Sequence, residues 1–300
     1  MDPQTALVSS TEQTRANTLR ELIRELRPKQ WTKNLLVFAS AMFAGTLLDP
    51  VNFLHATIAF TAFSFMSSTI YIINDIVDIE KDRLHPDKCK RPIASGAVSV
   101  SLGIITAIVL AGISVAASLF VNVELTGLLL VYFVLNLSYS LHLKHVVLID
   151  VMIIAAGFVL RATAGAVAVH EHLTSWFVLC TLFLSLFLAL GKRRHELELF
   201  KDQPDKRRKV LDQYSIKLLD QLMVIVTGLT IMFYALYAAS EDHRMMWSVP
   251  FVIYGVFRYY YLIHMRNEGG KPEEVLLTDK HILVTVVLFG IVVIYIKHFL

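Results

Sequence analysis

The chain has 300 residues, 55% of them hydrophobic, and a mean hydropathy of +0.58. This excludes an ordinary soluble domain, because several apolar runs exceed the roughly 18 residues that a helix needs to cross a bilayer. The net charge of +3 says little by itself, and no nucleic-acid partner is expected. The distribution of the charges along the chain is more informative than their sum.

The sequence predicts a disordered tail at residues 1–16 and one transmembrane catalytic domain at residues 17–300. The domain begins with an interfacial helix at about residues 18–27, because its apolar residues recur at helical spacing. They are Leu19, Leu22, Ile23 and Leu26. Its arginines would face anionic headgroups of the lipid bilayer. Lys33 and Asn34 follow at the start of the first span and are candidates to reach a substrate pocket.

Nine apolar segments predict an all-α, polytopic membrane bundle. They cover residues 34–48, 51–74, 99–121, 124–141, 146–169, 174–190, 216–240, 247–263 and 281–299. Lys and Arg concentrate in every second connection, whereas Arg244 is the only basic residue in the others. The positive-inside rule therefore predicts a cytoplasmic N-terminus and an odd number of spans, a condition that nine spans satisfy.

The strongest chemical signal is an acidic motif at the end of the second span, formed by Asp75, Asp78 and Asp82. Their spacing of i, i+3 and i+7 predicts three carboxylates on one face of a helix. Such a stripe is self-repelling unless a cation joins it, and Mg²⁺ prefers carboxylate and phosphate oxygens. These aspartates and Asn74 are therefore the candidate Mg²⁺ ligands. The alternative is a solvated helix end neutralised by nearby basic residues.

The connection after the acidic motif is basic. Arg83, Lys90 and Arg91 would lie near the carboxylates and would suit a polyanionic ligand bound through the metal. The alternative is the ordinary positive charge of a cytoplasmic loop.

Four further candidates for substrate contact lie in and around the fourth and fifth spans. Tyr139 is near the end of the fourth span, Lys144 lies in the connection after it, and Asp150 and Arg161 lie in the fifth. Arg161 would lie about 16 Å farther along the helix axis than Asp150, on nearly the same side. Charged groups at membrane depth normally face a polar cavity. A structural role within the bundle is the alternative for Arg161.

The sixth span ends in the basic segment from Gly191 to Glu196. Lys192 and Arg193 predict a phosphate clamp, because Arg suits bidentate phosphate contacts. Lys192 is also a candidate catalytic residue, with Glu196 as a further substrate contact. The alternative is a helix-surface pair between Lys192 and Glu196, which are four residues apart.

These segments resemble the UbiA superfamily of intramembrane prenyltransferases. The resemblance rests on residues 74–82, on residues 91–96 and on the element from Tyr139 to Lys144, in the expected order. It implies an all-helical membrane fold, Mg²⁺ as cofactor and a diphosphate substrate bound at the first motif. The superfamily's usual second motif is also aspartate-rich, whereas this chain has the basic segment from Gly191 to Glu196 at that place.

With this basic segment the chain resembles one branch of the superfamily, the decaprenyl-phosphate phosphoribosyltransferases. Residues 27–34, 149–150 and 157–165 also resemble that branch. That branch implies transfer of 5-phosphoribose from phosphoribosyl pyrophosphate to a polyprenyl phosphate, toward arabinosyl cell-wall donors. It also implies a bacterial cell membrane and an active site facing the cytoplasm. The alternatives are a prenyltransferase acting on an aromatic or other acceptor, and a transporter or lipid scaffold. Assembly into a homo-oligomer stays open.

Overall fold

The computed structural model describes residues 18–85, 87–201, 209–266, 270 and 272–299, and every regular element within these ranges is helical. The predicted disordered tail lies outside them. Residues 18–25 are helical, and a 3-10 segment follows at Pro28–Leu36. The α-helices after it are α1 (Val37–Ala44), α2 (Pro50–Val77), α3 (Ile79–Arg83), α4 (Val100–Val121), α5 (Val123–Leu141), α6 (Ile149–Ala168), α7 (Ser175–Leu199), α8 (Ile216–Glu241), α9 (Val249–Arg266), α10 (Pro272–Thr278) and α11 (Lys280–Phe299).

Seven helices among the described residues are long and apolar enough to cross a membrane, namely α2, α4, α5, α6, α7, α8 and α11. They coincide with seven of the nine predicted spans. The first predicted span, residues 34–48, is the end of the 3-10 segment followed by the eight-residue α1. The eighth is α9, which is less apolar because it carries Arg258 and Arg266.

Polar side chains fix where the long helices begin. Asp49 accepts hydrogen bonds from the backbone N–H groups of Val51 and Asn52 at the start of α2. The helices α4, α5, α7 and α8 begin in the same way at Ser99, Asn122, Thr174 and Ser215. Each such cap stabilises a helix by about 1 kcal/mol. The boundaries of the spans are therefore encoded locally.

Two apolar clusters hold the bundle together. The first joins α2, α5 and α6, where Phe63, Leu129 and Ala164 are buried, and the second joins α7, α8 and α9. The helix α6 approaches α1 so closely that a Cβ at Gly165 would lie 2.0 Å from the Val37 carbonyl oxygen. Most of the surface of α4, α5 and α11 is exposed and apolar, as expected of helices that face lipid.

The candidate residues gather at one end of the bundle. The C-terminal ends of α2, α5 and α7 lie there together with the N-terminal ends of α4, α6 and α8. Ion pairs across this end join Lys144 to Asp78 and Arg193 to Asp150. The helix at 18–25 lies at the same end, because the residues that follow it contact the end of α2.

Candidate active site

The acidic motif lies at a break between two helices. The helix α2 ends at Val77, Asp78 takes up φ −93° and ψ 10°, and α3 begins at Ile79. The backbone N–H groups of Asp78 and Asp82 still donate to the carbonyl oxygens four residues earlier, so the break is local. Asp75 and Asp82 are buried, whereas Asp78 is partly exposed. The break allows carboxylates from two short segments to point inward together.

Two arginines hold the buried carboxylates of the acidic motif. The Nη1 atom of Arg91 lies 2.9 Å from Oδ1 of Asp75 and 2.5 Å from Oδ2 of Asp82. Arg27 donates to the other oxygen of Asp75. Lys88 adds an ion pair with Asp82 at 3.8 Å. Because two carboxylate oxygens converge on one cationic nitrogen, the acidic motif is built to hold positive charge.

Asp78 connects the acidic motif to the α5–α6 connection. Lys144 Nζ lies 3.5 Å from Oδ2 of Asp78, so this predicted residue does reach the motif. Asn74 is partly exposed beside it. Arg83 turns away instead, since it donates to the carbonyl oxygen of Ala94 and to a neighbouring glutamate. Lys90 is exposed on the same basic connection.

The sequence analysis missed Glu25, on the helix at 18–25. Its side chain is only 1% exposed, and its carboxyl group lies beside that of Asp75. Burial, and then the negative charge of Asp75, raise the pKa of Glu25 to about 7. A signal was available, because Glu25 is three residues after Leu22, whose side chain packs against the buried cluster around Ile72. Glu25 therefore lies on the buried face of an otherwise interfacial helix.

Arg27 was noted as part of a motif but was not predicted as a site residue. It adopts φ +52° immediately after the helix at 18–25. A non-glycine residue in this region costs about 1–3 kcal/mol. The turn brings the guanidinium onto the ring of Tyr71, at 4.8 Å from its centroid, and into contact with Asp75. These contacts, one of them with the buried Asp75, offset the backbone cost.

A second cluster, the arginine hub, is centred on Arg193 of α7. Its Nε donates to Asp150 Oδ2 at 2.6 Å, its Nη1 to Glu196 at 2.7 Å and its Nη2 to Tyr139 at 3.2 Å. The hydroxyl of Tyr214 donates to the second oxygen of Asp150 at 2.6 Å. Arg193 and Asp150 are almost completely buried.

The arginine hub brings together four predicted residues, from α5, α6 and α7. All three nitrogens of Arg193 are directed at protein partners, which favours a positioning role over a direct phosphate contact. Lys192, the neighbouring candidate, is partly exposed. Glu196 was the expected helix-surface partner of Lys192. Its carboxylate accepts a hydrogen bond from Arg193.

Asn34 and Arg161 form a third group, deeper in the bundle. The Nε of Arg161 donates to Oδ1 of Asn34 at 2.6 Å, and its Nη2 donates to the hydroxyl of Tyr132 at 2.7 Å. Asn34 in turn donates to Ser64 at 3.0 Å. These contacts join the 3-10 segment, α2, α5 and α6. Lys33, next to Asn34, is partly exposed.

The acidic motif offers oxygen donors of the kind that Mg²⁺ prefers. Within the described ranges, no group of three or more His, Cys, Asp or Glu side chains is arranged to enclose a metal ion by itself. Mg²⁺ needs no such cage, because one or two carboxylates commonly hold it while water and phosphate oxygens fill the other positions. Asp75 and Asp82 supply hard oxygen donors that converge on one point.

Comparison with known proteins gives a consistent family. The model of the UbiA prenyltransferase family matches residues 35–277. The chain is 36% identical over 293 residues to decaprenyl-phosphate phosphoribosyltransferase of Corynebacterium glutamicum, covering 93% of this chain and 88% of that protein. It is 33% identical over 274 residues to the protein of the same name from Mycobacterium tuberculosis, covering 88% and 90%.

A solved structure shows the same fold. It is a UbiA homolog from Archaeoglobus fulgidus bound to GPP and Mg²⁺, with a TM-score of 0.73 and 20% identity, covering 91% of this chain and 99% of that one. The segment matched by the family model, residues 35–277, includes the acidic motif and the arginine hub. From the helical membrane fold, the family match and the extended identity to its relatives, we conclude that this chain belongs to the UbiA prenyltransferase family.

Proposed function

We propose that this protein transfers 5-phosphoribose from phosphoribosyl pyrophosphate to a polyprenyl phosphate of the decaprenyl type, in a step toward arabinosyl cell-wall donors. One observation carries the proposal. Proteins named decaprenyl-phosphate phosphoribosyltransferase are 33% and 36% identical to this chain over 88% and 93% of its length. A match over this share of the chain spans the acidic end of α2 and the basic end of α7.

The charges of the site support two kinds of phosphate binding. The donor carries a diphosphate and a 5-phosphate, and the acceptor carries a lipid phosphate. Asp75, Asp78 and Asp82, with Asn74 beside them, would hold Mg²⁺ on the diphosphate. The other phosphates need cations, and Lys192, Lys144 and Arg91 are the side chains that we assign to them, with Lys33 as a further candidate.

The proposed reaction needs little acid–base chemistry. The bond between C1 of the ribose and the pyrophosphate oxygen breaks, pyrophosphate leaves with the electron pair, and an oxygen of the lipid phosphate bonds to C1. That oxygen is already anionic, so no strong general base is required. Bound Mg²⁺ would neutralise negative charge on the leaving group. The arginine hub would hold Lys192 and Tyr139 in place around the substrates.

A transfer assay tests this function directly. Purified protein would receive radiolabelled phosphoribosyl pyrophosphate with polyprenyl phosphate and, in parallel, a prenyl diphosphate with an aromatic acid. We expect a labelled lipid and released pyrophosphate only in the first reaction, and only with Mg²⁺. Turnover in the second reaction alone would refute the proposal in favour of prenyl transfer.

Variants of the acidic motif connect the assay to the site. Asp75→Ala and Asp78→Ala should abolish transfer while the protein remains folded in detergent. Glu80→Ala is the matched control, because Glu80 lies between the motif residues but its side chain is 79% exposed. Full turnover by Asp75→Ala would remove that residue from the metal role.

We also propose that the active site faces the cytoplasm and that the chain crosses the membrane nine times, with residues 28–44 and α9 as additional crossings. The basic connections support this orientation. Exposed single cysteines in a background without Cys89 and Cys180 test it. An impermeant thiol reagent on intact cells should label His243→Cys, and should label Ser95→Cys only after permeabilisation. The reverse pattern would invert the topology.

A further inference from the structure

The carboxyl groups of Glu25 and Asp75 lie side by side in a buried place. Two ionised carboxylates have no proton to share, so they cannot hydrogen-bond to each other. Within the part of the chain that the structure describes, neither oxygen of Glu25 makes a hydrogen bond of good geometry, although the carboxyl group of Asp75 and the backbone of Ile93 lie beside it. A buried carboxylate without a partner is unfavourable. Glu25 therefore needs a cation or a proton beside its oxygens.

The two arginines beside this pair donate to Asp75 and not to Glu25. Arg91 bridges Asp75 and Asp82, and Arg27 donates to the second oxygen of Asp75. Both guanidinium groups thus neutralise the acidic motif, and neither donates a hydrogen bond to Glu25. The side chain of Glu25 brings a further negative charge to a place where two aspartates already converge.

We propose that Glu25 is a ligand of the divalent cation that Asp75 holds, so that the helix at 18–25 contributes a carboxylate to the metal site. This inference rests on the proposed function, because it concerns the same cation. Mg²⁺ prefers oxygen ligands, and Glu25 would add a carboxylate from a second element beside that of Asp75. The cation then replaces the missing partner of Glu25.

The helix at 18–25, which carries Glu25, is suited to lie at the lipid surface. Leu19 and Ile23 are exposed on the outer side of the helix at 18–25, while Leu22 and Leu26 pack inward. An exposed apolar edge of this kind suits a lipid surface. A cation held between Glu25 and Asp75 would fasten this interfacial helix to the end of α2. Metal binding and the seating of the helix would therefore stabilise each other.

Metal binding to the full-length protein in detergent tests the proposal without any turnover. Mn²⁺ is the probe, and the fraction that stays free is measured by electron paramagnetic resonance. Glu25→Gln should weaken Mn²⁺ binding by about tenfold or more, the range seen when a group that supports a metal site is lost. Glu21→Gln is the matched control, since Glu21 lies one turn earlier and pairs with Arg24 at the surface. It should bind Mn²⁺ as the wild type does.

A melting curve separates a metal ligand from a merely structural residue. Without metal, Glu25→Gln should melt at the same temperature as the wild type or higher, because it removes an unpaired buried charge. With Mn²⁺, the wild type should gain thermal stability that the variant does not gain. A variant that melts lower without metal, yet binds Mn²⁺ normally, would overturn the proposal.

Asp75→Asn separates failure of this inference from failure of the proposed site. If Asp75→Asn weakens Mn²⁺ binding and Glu25→Gln does not, the role of Glu25 is refuted and the acidic motif stands. If neither variant changes the affinity, the cation site itself is refuted. Should Glu25→Gln fail to fold, Glu25→Asp decides the matter. Its carboxylate is one methylene shorter and should bind Mn²⁺ more weakly, and wild-type affinity would refute the proposal.

Discussion

Removing Asp150 should destabilise the protein, because the buried positive charge of Arg193 loses one of its partners. Arg193 and Asp150 are 1% and 0% exposed, and the Nε–Oδ2 distance is 2.6 Å. Breaking a buried ion pair by removing one partner typically costs about 3–5 kcal/mol, because a charge is left buried and uncompensated. We expect Asp150→Ala to lower the free energy of unfolding by about 3 kcal/mol, the lower end of this range, because Glu196 still pairs with the guanidinium.

Removing Arg193 should cost more than removing Asp150. Arg193→Met leaves two carboxylates without their cation, so we expect the upper end of the range, about 5 kcal/mol. The double variant, Asp150→Ala with Arg193→Met, should be less destabilised than the sum of the single variants. The coupling energy should lie at about 1–3 kcal/mol, as for residues in one network.

The free energy of unfolding in mixed micelles, measured for the four proteins of this cycle, is the appropriate assay. Asp212→Ala serves as a control, because Asp212 is an exposed acidic residue near the start of α8. Single variants within about 0.5 kcal/mol of the wild type, or strictly additive losses, would show that the pair is not energetically coupled. Such a result would refute the assignment of Arg193 as a positioning residue.

Three further substitutions test other parts of the structure. Gly165→Ala should lower the free energy of unfolding by about 3 kcal/mol or prevent folding, because its Cβ would meet the Val37 carbonyl oxygen at 2.0 Å; a stable variant would contradict this packing. Arg161→Lys should lower the free energy of unfolding by about 1–3 kcal/mol, because one ammonium nitrogen cannot replace the two guanidinium nitrogens that bind Asn34 and Tyr132. An unchanged free energy of unfolding would argue against this structural role. Lys192→Ala should worsen KM for phosphoribosyl pyrophosphate about tenfold, whereas exposed Lys201→Ala should not; unchanged kinetics would favour a surface role for Lys192.

The sequence determined the class of fold and much of the site by local rules. Apolar runs predicted the seven helices of the described residues that qualify as membrane spans, and polar residues set the starts of five of them, α2, α4, α5, α7 and α8. The acidic motif and the basic end of α7 were also visible, because their residues lie within one or two helical turns of each other. Local spacing did not predict the break at Asp78, where α2 gives way to α3.

Tertiary structure decided which charges meet. Arg193 and Asp150 are 43 residues apart, and Arg161 and Asn34 are 127 apart. Helical periodicity gives the face on which a side chain lies, but not the helix that packs against that face. Glu25 shows the difference most clearly: its spacing from Leu22 placed it on the buried face, yet only the packing of that helix against α2 brought its carboxyl group to Asp75.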